Sequence, residues 1–166
     1  MTGRVHNELN WHTLTTEHYR VHYHQGIEEI AKQGASMAEQ IHSTLLTQVG
    51  LEDAPVIDII FTAEDEIMNG YAMSTNQTFI WVDQNDAVIW LEDEKWLYQV
   101  LAHELQHIMY FNAVKTWMPE PINSIYSNTP GWFIEGLAEY MTEKWRPHRA
   151  DISHKYHVYK NKMNDM

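Results

Sequence analysis

The sequence contains no cysteine, and this absence limits the chemistry that the chain can carry. Disulfide bonds and thiolate ligands are excluded, so a metal site here must use histidine and carboxylate side chains. Positive charge is also scarce, because 11 lysines and arginines stand against 23 aspartates and glutamates and leave a net charge of −12. So acidic a chain is a poor partner for nucleic acid or for an anionic membrane.

Long apolar runs are missing as well. No stretch approaches the roughly 20 apolar residues of a membrane-spanning helix, and no secretory signal peptide begins the chain. We therefore expect no membrane span, and the leader of an exported protein would not be part of this sequence. A hydrophobic content of 44%, seven tryptophans and nine tyrosines argue against disorder. The length predicts one compact domain spanning residues 1–166.

Hydrophobic patterning predicts an α+β domain in which a small mixed sheet packs on helices. Residues 1–16 are expected to be an irregular lead-in. A long helix is expected over Ile27–Val49, where apolar residues recur at helical spacing, and Gly50 should end it. The predicted strands are Tyr19–His24, Pro55–Phe61, Thr78–Val82 and, as a strand or a helix start, Ala87–Leu91.

The most informative stretch is His103-Glu104-Leu105-Gln106-His107. Histidines four residues apart on a helix lie on the same face about one turn apart, so both imidazoles can bind one metal ion. The glutamate that follows the first histidine points into the same cleft, where it can accept and release protons. This H-E-x-x-H pattern is typical of two zinc ligands and a general base.

The surrounding sequence favours a helix at this motif. Asp93 or Glu94 precedes it, and acidic residues are favoured at a helix start. A short motif in a chain with 11 histidines can also arise by chance. The alternative is an amphipathic helix whose two histidines only flank a buried face, so a third ligand must decide. The apolar residues at helical spacing are Leu97, Val100, Leu101, Leu105, Ile108 and Met109.

A second predicted helix, Thr129–Met141, offers that third ligand. Thr129 is the expected N-cap, with Pro130 at the first helical position. Glu135 and Glu139 lie four residues apart and therefore share a face. Glu135 would complete a His2Glu set with an open position, which is the ligand set of a catalytic zinc site. Glu139 would accept the free ring N–H of a ligand histidine.

Gly136 lowers the helix propensity of this segment by roughly 1 kcal/mol relative to alanine. Its presence predicts that another backbone approaches the helix closely at this position. The alternative for the acidic residues is a solvated helix face. That alternative suits Glu143 but suits Glu135 poorly, because Glu135 stands between apolar residues.

The H-E-L-Q-H motif followed by W-F-I-E-G-L-A-E-Y, which begins at Trp132, resembles the gluzincin branch of the zincin metallopeptidases. The resemblance is specific over residues 96–144. It implies a zincin fold and a bound Zn²⁺. The roles that it implies are zinc ligands at His103, His107 and Glu135, a general base at Glu104, and at Glu139 an acidic residue that orients a ligand histidine.

A weaker resemblance, carried by Trp11 and Thr16–Tyr23, is to bacterial peptidase-MA-like domains. Such domains are often found in exported proteins, which implies a periplasmic or extracellular location. The resemblance also implies that an edge strand near residues 78–82 pairs with extended substrate. Gluzincins usually need a further helical portion to close the cleft. We therefore expect the domain to be truncated at its C-terminus, with an additional C-terminal domain in the full-length protein.

Two features depart from the family pattern. The segment between His107 and Glu135 is longer than in thermolysin and the aminopeptidases, so an extra loop is expected over Asn112–Asn128, where two prolines break any helix. Residues Asn69–Ser74 lie where the aminopeptidase branch has G-A-M-E-N, but they contain no glutamate. Aminopeptidase specificity is therefore not supported.

Peptide hydrolysis also needs a donor for the developing oxyanion besides the metal. Tyr126 is the catalytic candidate, because its spacing before Glu135 resembles that of a tyrosine in thermolysin. Packing is the usual role of a tyrosine, and the chain has nine. Four other histidines are interpreted as surface or polar-tail residues rather than ligands: His22, His24, His154 and His157.

The sequence therefore predicts a zinc-dependent metallopeptidase, an endopeptidase or processing enzyme that acts on a peptide or protein substrate. Glu104 would be the general base that works with a zinc-activated water. One alternative is a zinc-binding, non-proteolytic domain that holds a peptide or protein in its cleft. An intact Glu104 argues against it, because binding alone requires no base. The other alternative is a non-metal helical domain with an accidental motif, and Glu135 and Glu139 argue against that.

Overall fold

The structure is a computed structural model of the chain, and it describes residues 7–64, 69–82, 95–115 and 129–143. These ranges contain five β-strands and three α-helices. The strands are β1 (Trp11–Thr15), β2 (Tyr19–His24), β3 (Ile57–Thr62), β4 (Asn69–Met73) and β5 (Gln77–Trp81). The helices are α1 (Glu28–Val49), α2 (Lys95–Val114) and α3 (Gly131–Glu143).

The five strands form one mixed sheet in the order β1-β2-β3-β5-β4. The three central strands β2, β3 and β5 are parallel to one another, whereas β1 and β4 are antiparallel to their neighbours at the two edges. The predicted α+β class, with a small mixed sheet packed on helices, is confirmed at this level.

One face of the sheet is buried beneath the helices. Residues on alternate positions of a strand share a face, and the inward residues Tyr19 and Val21 of β2, with all three inward residues of β3, are fully buried. Gly34 of α1 lies directly against the ring of Phe61, so no side chain would fit at that helix position. The core residues contributed by the sheet are Tyr19, Val21, Ile57, Ile59, Phe61 and Ile80.

The long helix α1 is confirmed within a residue of its expected bounds. It ends at Gly50, which adopts a left-handed conformation with φ of 74°. The N–H of Gly50 bonds to carbonyl oxygens of the last turn, and the N–H of Leu51 bonds to the carbonyl of Leu46 at 3.0 Å. Glycine is the residue that adopts this conformation with least strain, so the predicted stop has a physical basis.

Helix α2 carries both a core face and the H-E-x-x-H motif. Leu101, Leu105, Ile108 and Met109 are fully buried on its core face, as the sequence predicts. The helix continues to Val114, so the extra loop expected from Asn112 begins later than predicted. Residues 116–128 lie outside the described part of the chain.

Helix α3 begins one residue later than expected. The carbonyl of Pro130 accepts hydrogen bonds from the N–H groups of Phe133 and Ile134 at 2.9 and 3.3 Å, so proline precedes the helix. Thr129 was expected to cap the helix with its hydroxyl. That hydroxyl instead lies 2.8 Å from the Tyr110 hydroxyl of α2, and this contact fixes the entry to α3.

Two strand predictions are wrong. Residues 11–15 form β1, although the sequence predicted an irregular lead-in. A largely exposed edge strand such as β1 needs few apolar residues, so its sequence pattern is weak. The substrate-pairing edge was expected near residues 78–82, but β5 lies between β3 and β4 and Thr78 and Ile80 are fully buried. The edge strand of the described sheet on this side is β4.

The surface interpretation of His24 is also wrong. His24 is completely buried, and its Nε2 accepts a hydrogen bond from the Ala63 N–H at 3.0 Å. Its Nδ1–H donates to the Gln25 carbonyl at 2.9 Å. A neutral imidazole with both nitrogens bonded can be buried at little cost. His22 is partly exposed and bonds to Asp58 at 3.0 Å.

The predicted element at Ala87–Leu91 lies outside the described residues. Among the helices that the structure describes, none combines the length and the apolar character that crossing a membrane requires.

Candidate metal centre

Three ligand atoms converge at one point between α2 and α3. Oε2 of Glu135 lies 3.3 Å from Nε2 of His103 and 3.5 Å from Nε2 of His107, and the two Nε2 atoms are 3.1 Å apart. Ligands on one tetrahedral zinc ion, with bonds of roughly 2.0–2.1 Å, are separated by about 3.3–3.4 Å. These three residues could therefore hold one metal ion, and no other such group occurs within the described ranges.

The packing of α3 on α2 creates this triangle. His103 and His107 are one turn apart on α2, and Ala138 of α3 is fully buried against the rest of the protein. Near the other end of the contact, the rings of Tyr110 and Phe133 lie 6.2 Å apart. The two predicted ligand helices are thus brought together, with the histidines on the buried side and Glu135 reaching them from the solvent side.

Glu104 lies beside the triangle and is 7% exposed. The backbone N–H of Ala72, in β4, donates a hydrogen bond to its carboxylate. Burial, with a further contribution from the negative charge of Glu135, raises the pKa of Glu104 from 4.5 to about 7, although the Ala72 bond opposes the rise. The pKa of this predicted base therefore lies near neutral pH, where its carboxyl group can both accept and release a proton.

Gly70 allows β4 to approach Glu104. A Cβ atom at this position would lie 2.5 Å from both Cγ and Oε1 of Glu104, which is far inside van der Waals contact. A larger residue here would force either the Glu104 side chain or the edge strand to shift. Neither this strand nor the contact of Gly70 was predicted from the sequence, although a glycine inside a strand often marks a close approach.

The surroundings of His107 favour the neutral ring, which is the form that binds metals. Its burial, and the neighbouring His103, lower its pKa, so the ring is favoured in the neutral form. Its Nδ1 is buried and has no hydrogen-bond partner among the described residues. A ligand histidine usually donates this N–H to a second group, and no described residue accepts it here.

Glu139 lines a cavity next to His103, one turn of α3 beyond Glu135. Within the described ranges it makes no hydrogen bond to a histidine ring, so its role in orienting a ligand stays a prediction. The expectation for Gly136 is wrong. This glycine is exposed, and among the described residues no atom lies within 4 Å of an added Cβ.

Several candidates from the sequence cannot be placed. The possible oxyanion donor Tyr126 lies outside the described residues, as do the acidic residues at the expected helix start and the histidines of the tail: Asp93, Glu94, His154 and His157.

Two cavities adjoin the triangle. One of about 380 Å³ extends along β4 towards the C-terminal half of α2 and the start of α3. The other, of about 240 Å³, lies towards the N-terminal half of α2 and the second half of α3. Asn69, His103 and Glu104 line both cavities, so the two spaces meet at the candidate metal centre.

A second anchor of β4 was also not predicted. Asn76, in the turn between β4 and β5, has a positive φ of 62°. Its side-chain oxygen accepts a hydrogen bond from the amide of Asn112 in α2 at 2.7 Å, and its carbonyl accepts one from the Asp58 N–H at 2.9 Å. These bonds fix the hairpin that carries Gly70 relative to the helix that carries the histidines.

No protein-family model matches this chain, and no curated protein matches it in sequence.

Proposed function

We propose that this chain is a zinc-dependent metallopeptidase with a zincin-like fold. The observation that carries the proposal is the triangle of His103, His107 and Glu135 with the buried carboxyl group of Glu104 beside it. A metal site that served only to bind would not need an additional buried acid that is not a metal ligand. Burying such an acid is unfavourable, which argues that it has a chemical role.

The donor set fits zinc. Two neutral imidazole nitrogens and one carboxylate oxygen leave a fourth tetrahedral position open, which distinguishes catalytic from closed structural zinc sites. The spacing of the three ligand atoms agrees with one ion of this size. Zinc bound by such ligands supplies Lewis-acid polarisation of a carbonyl group and activation of water.

Glu104 would move the protons of the reaction. Its carboxylate takes a proton from the attacking water while the new C–O bond forms at the scissile carbonyl. When the C–N bond breaks, Glu104 gives that proton to the departing amine, so the carboxylate is regenerated. The Ala72 N–H and the contact with Gly70 hold the carboxyl group in one place throughout.

The edge strand β4 would align the substrate. The described sheet ends at β4, so the outer backbone groups of this strand can pair with an extended peptide. Gly70 and Ala72, which contact Glu104, belong to the same strand. A peptide paired with β4 would therefore pass directly over the candidate metal centre. Backbone pairing of this kind suits an endopeptidase, because it requires no free chain terminus.

Removal and replacement of the metal test this proposal. Chelator-treated protein should lose hydrolysis of an unfolded protein substrate, and about one equivalent of zinc should restore it. Glu135→Ala should weaken zinc affinity at least about 100-fold, because it removes a ligand. Glu52→Ala, a change at an exposed residue that lines neither cavity, is the control and should bind zinc normally. Zinc binding without turnover would favour a non-proteolytic peptide-binding domain, and the absence of zinc binding would reject the metal site.

A further inference from the structure

The two cavities that meet at His103 and Glu104 have different linings. Away from the residues of the metal centre, the larger one is lined by aromatic and aliphatic side chains, among them Tyr71, Phe111 and Ile134. The smaller one has a polar lining. If the scissile carbonyl of a peptide substrate lies at the metal centre, the substrate side chains on its two sides enter cavities with different linings.

The smaller cavity lies between two helix faces. Trp96, Gln99 and Val100 stand one and two turns before His103 on α2, and they line it from one side. Glu139 of α3 lines it from the other side. Because Tyr110 contacts Phe133 at the opposite end, the two helices run in opposite directions, and this brings the later part of α3 beside the earlier part of α2.

The chemistry of this cavity favours a cation. Glu139 carries a carboxylate and Gln99 a side-chain carbonyl oxygen, and the side-chain oxygen of Asn69, which accepts the Gly70 N–H at 2.9 Å, has a second lone pair. Trp96 adds an indole, which is the aromatic group with the strongest cation–π attraction. No lysine or arginine lines the cavity among the described residues. An ammonium or guanidinium group would therefore meet acceptors and an aromatic surface in a space of about 240 Å³, which is ample for such a side chain.

We propose that this cavity binds a cationic side chain, lysine or arginine, next to the scissile bond, while the larger cavity takes an apolar side chain on the other side. The inference rests on the proposed peptidase function and specifies its substrate class. Glu139 is the specificity-determining residue, and Trp96 and Gln99 complete the binding surface. Substrates would be peptides in which a basic and an apolar residue are adjacent.

Binding to a hydrolytically impaired protein tests the inference without relying on turnover. Zinc-loaded Glu104→Gln would be titrated with blocked peptides that contain a Phe-Lys or a Lys-Phe pair, and with matched peptides in which norleucine replaces lysine. Norleucine keeps the aliphatic chain and removes the charge. We expect the Phe-Lys peptide, the Lys-Phe peptide or both to bind about tenfold more tightly than the matched norleucine peptide. One well-placed charge pair allows a difference of this size. The same preference should appear in kcat/KM of the wild-type protein.

Changes in the cavity then locate the preference. In the Glu104→Gln background, Glu139→Gln should bring the affinity ratio of lysine to norleucine peptides close to one, whereas Gln99→Lys should reverse it. Glu29→Gln removes the same charge from an exposed position near the start of α1 and should leave the ratio unchanged. These comparisons separate a local contact from the effect of net charge.

Each outcome has a distinct meaning. Equal affinity for the lysine and norleucine peptides, or an unchanged ratio in Glu139→Gln, would overturn the inference. If Glu139→Gln weakens zinc and lowers the affinity for both peptides equally, Glu139 serves the metal and the inference fails. Peptides with a free and an acetylated amino terminus distinguish a side chain from a terminal amine, and a preference confined to free termini would overturn the side-chain assignment. Complete absence of wild-type hydrolysis would reject the proposed function, while the affinity ratio would still test the cavity.

Discussion

Glu104→Gln should stabilise the metal-free protein, and the gain should depend on pH. Glutamine has nearly the shape of glutamate and can still accept the Ala72 N–H bond, but it carries no charge to bury. The folded-state pKa of Glu104 is about 7, compared with 4.5 for an exposed glutamate. The folded protein therefore holds this proton more tightly than the unfolded chain does. Stability is full below the lower pKa and is lost as the pH rises through 7.

The size of this effect follows from the two pKa values of 4.5 and about 7. At about 1.4 kcal/mol per pKa unit, the charged carboxylate destabilises the fold at pH 8 by roughly 3 kcal/mol relative to pH 4.5. Glu104→Gln should thus raise the free energy of unfolding by roughly 3 kcal/mol at pH 8 and change it little near pH 4.5. Bound zinc should reduce the gain at pH 8, because a nearby dication favours the ionised carboxylate.

Urea unfolding of chelator-treated wild-type and variant protein at several pH values measures this difference directly. Taking the difference between the two proteins removes the pH-dependent contributions that both proteins share. Glu139→Gln is a matched control on an exposed residue and should change stability by less than about 0.5 kcal/mol throughout. A gain from Glu104→Gln that is the same at every pH would refute the claim that a buried carboxyl group titrates near neutrality.

Two further changes test how β4 is positioned. Gly70→Ala places a methyl group 2.5 Å from Glu104. We therefore expect kcat/KM to fall roughly 10- to 100-fold while zinc affinity changes little. Parallel hydrolysis and zinc-binding assays will show whether activity is lost without loss of zinc affinity. Asn112→Ala removes the 2.7 Å bond to Asn76, so we expect the free energy of unfolding to fall by about 1 kcal/mol in urea titrations, with faster amide exchange in the β4–β5 turn; unchanged exchange there would contradict the proposed anchor.

Much of the fold could be predicted from the sequence, because different features of the same segment indicated the same structure. In α1, helical spacing and a terminal glycine both gave the same helix. The pairing of His103 with His107 follows from helix geometry alone, and Glu135 was found because an acidic residue stood in an apolar segment of a second helix. Such signals depend only on residues that are close in sequence, so they can be recognised without knowledge of the tertiary structure.

The features that were missed depend on contacts between distant segments. The buried state of His24 requires the Ala63 N–H, and the role of Gly70 requires Glu104 on another element. The position of β4 at the sheet edge is set by the order of pairing, which a strand's own residues do not reveal. Gly136 shows the converse error, because a residue with low helix propensity was assumed to need a packing partner, and no atom of the described residues lies within 4 Å of an added Cβ there.

The most direct test of the central claim compares zinc-loaded wild-type protein with zinc-loaded Glu104→Gln on one unfolded protein substrate. New chain termini are quantified by mass spectrometry, and bound zinc is measured in the same samples. The account predicts equal zinc content and a loss of hydrolysis of at least about 100-fold in the variant, as expected when a general base is removed. Hydrolysis at the same rate in both proteins would show that Glu104 is not the base and would contradict the account.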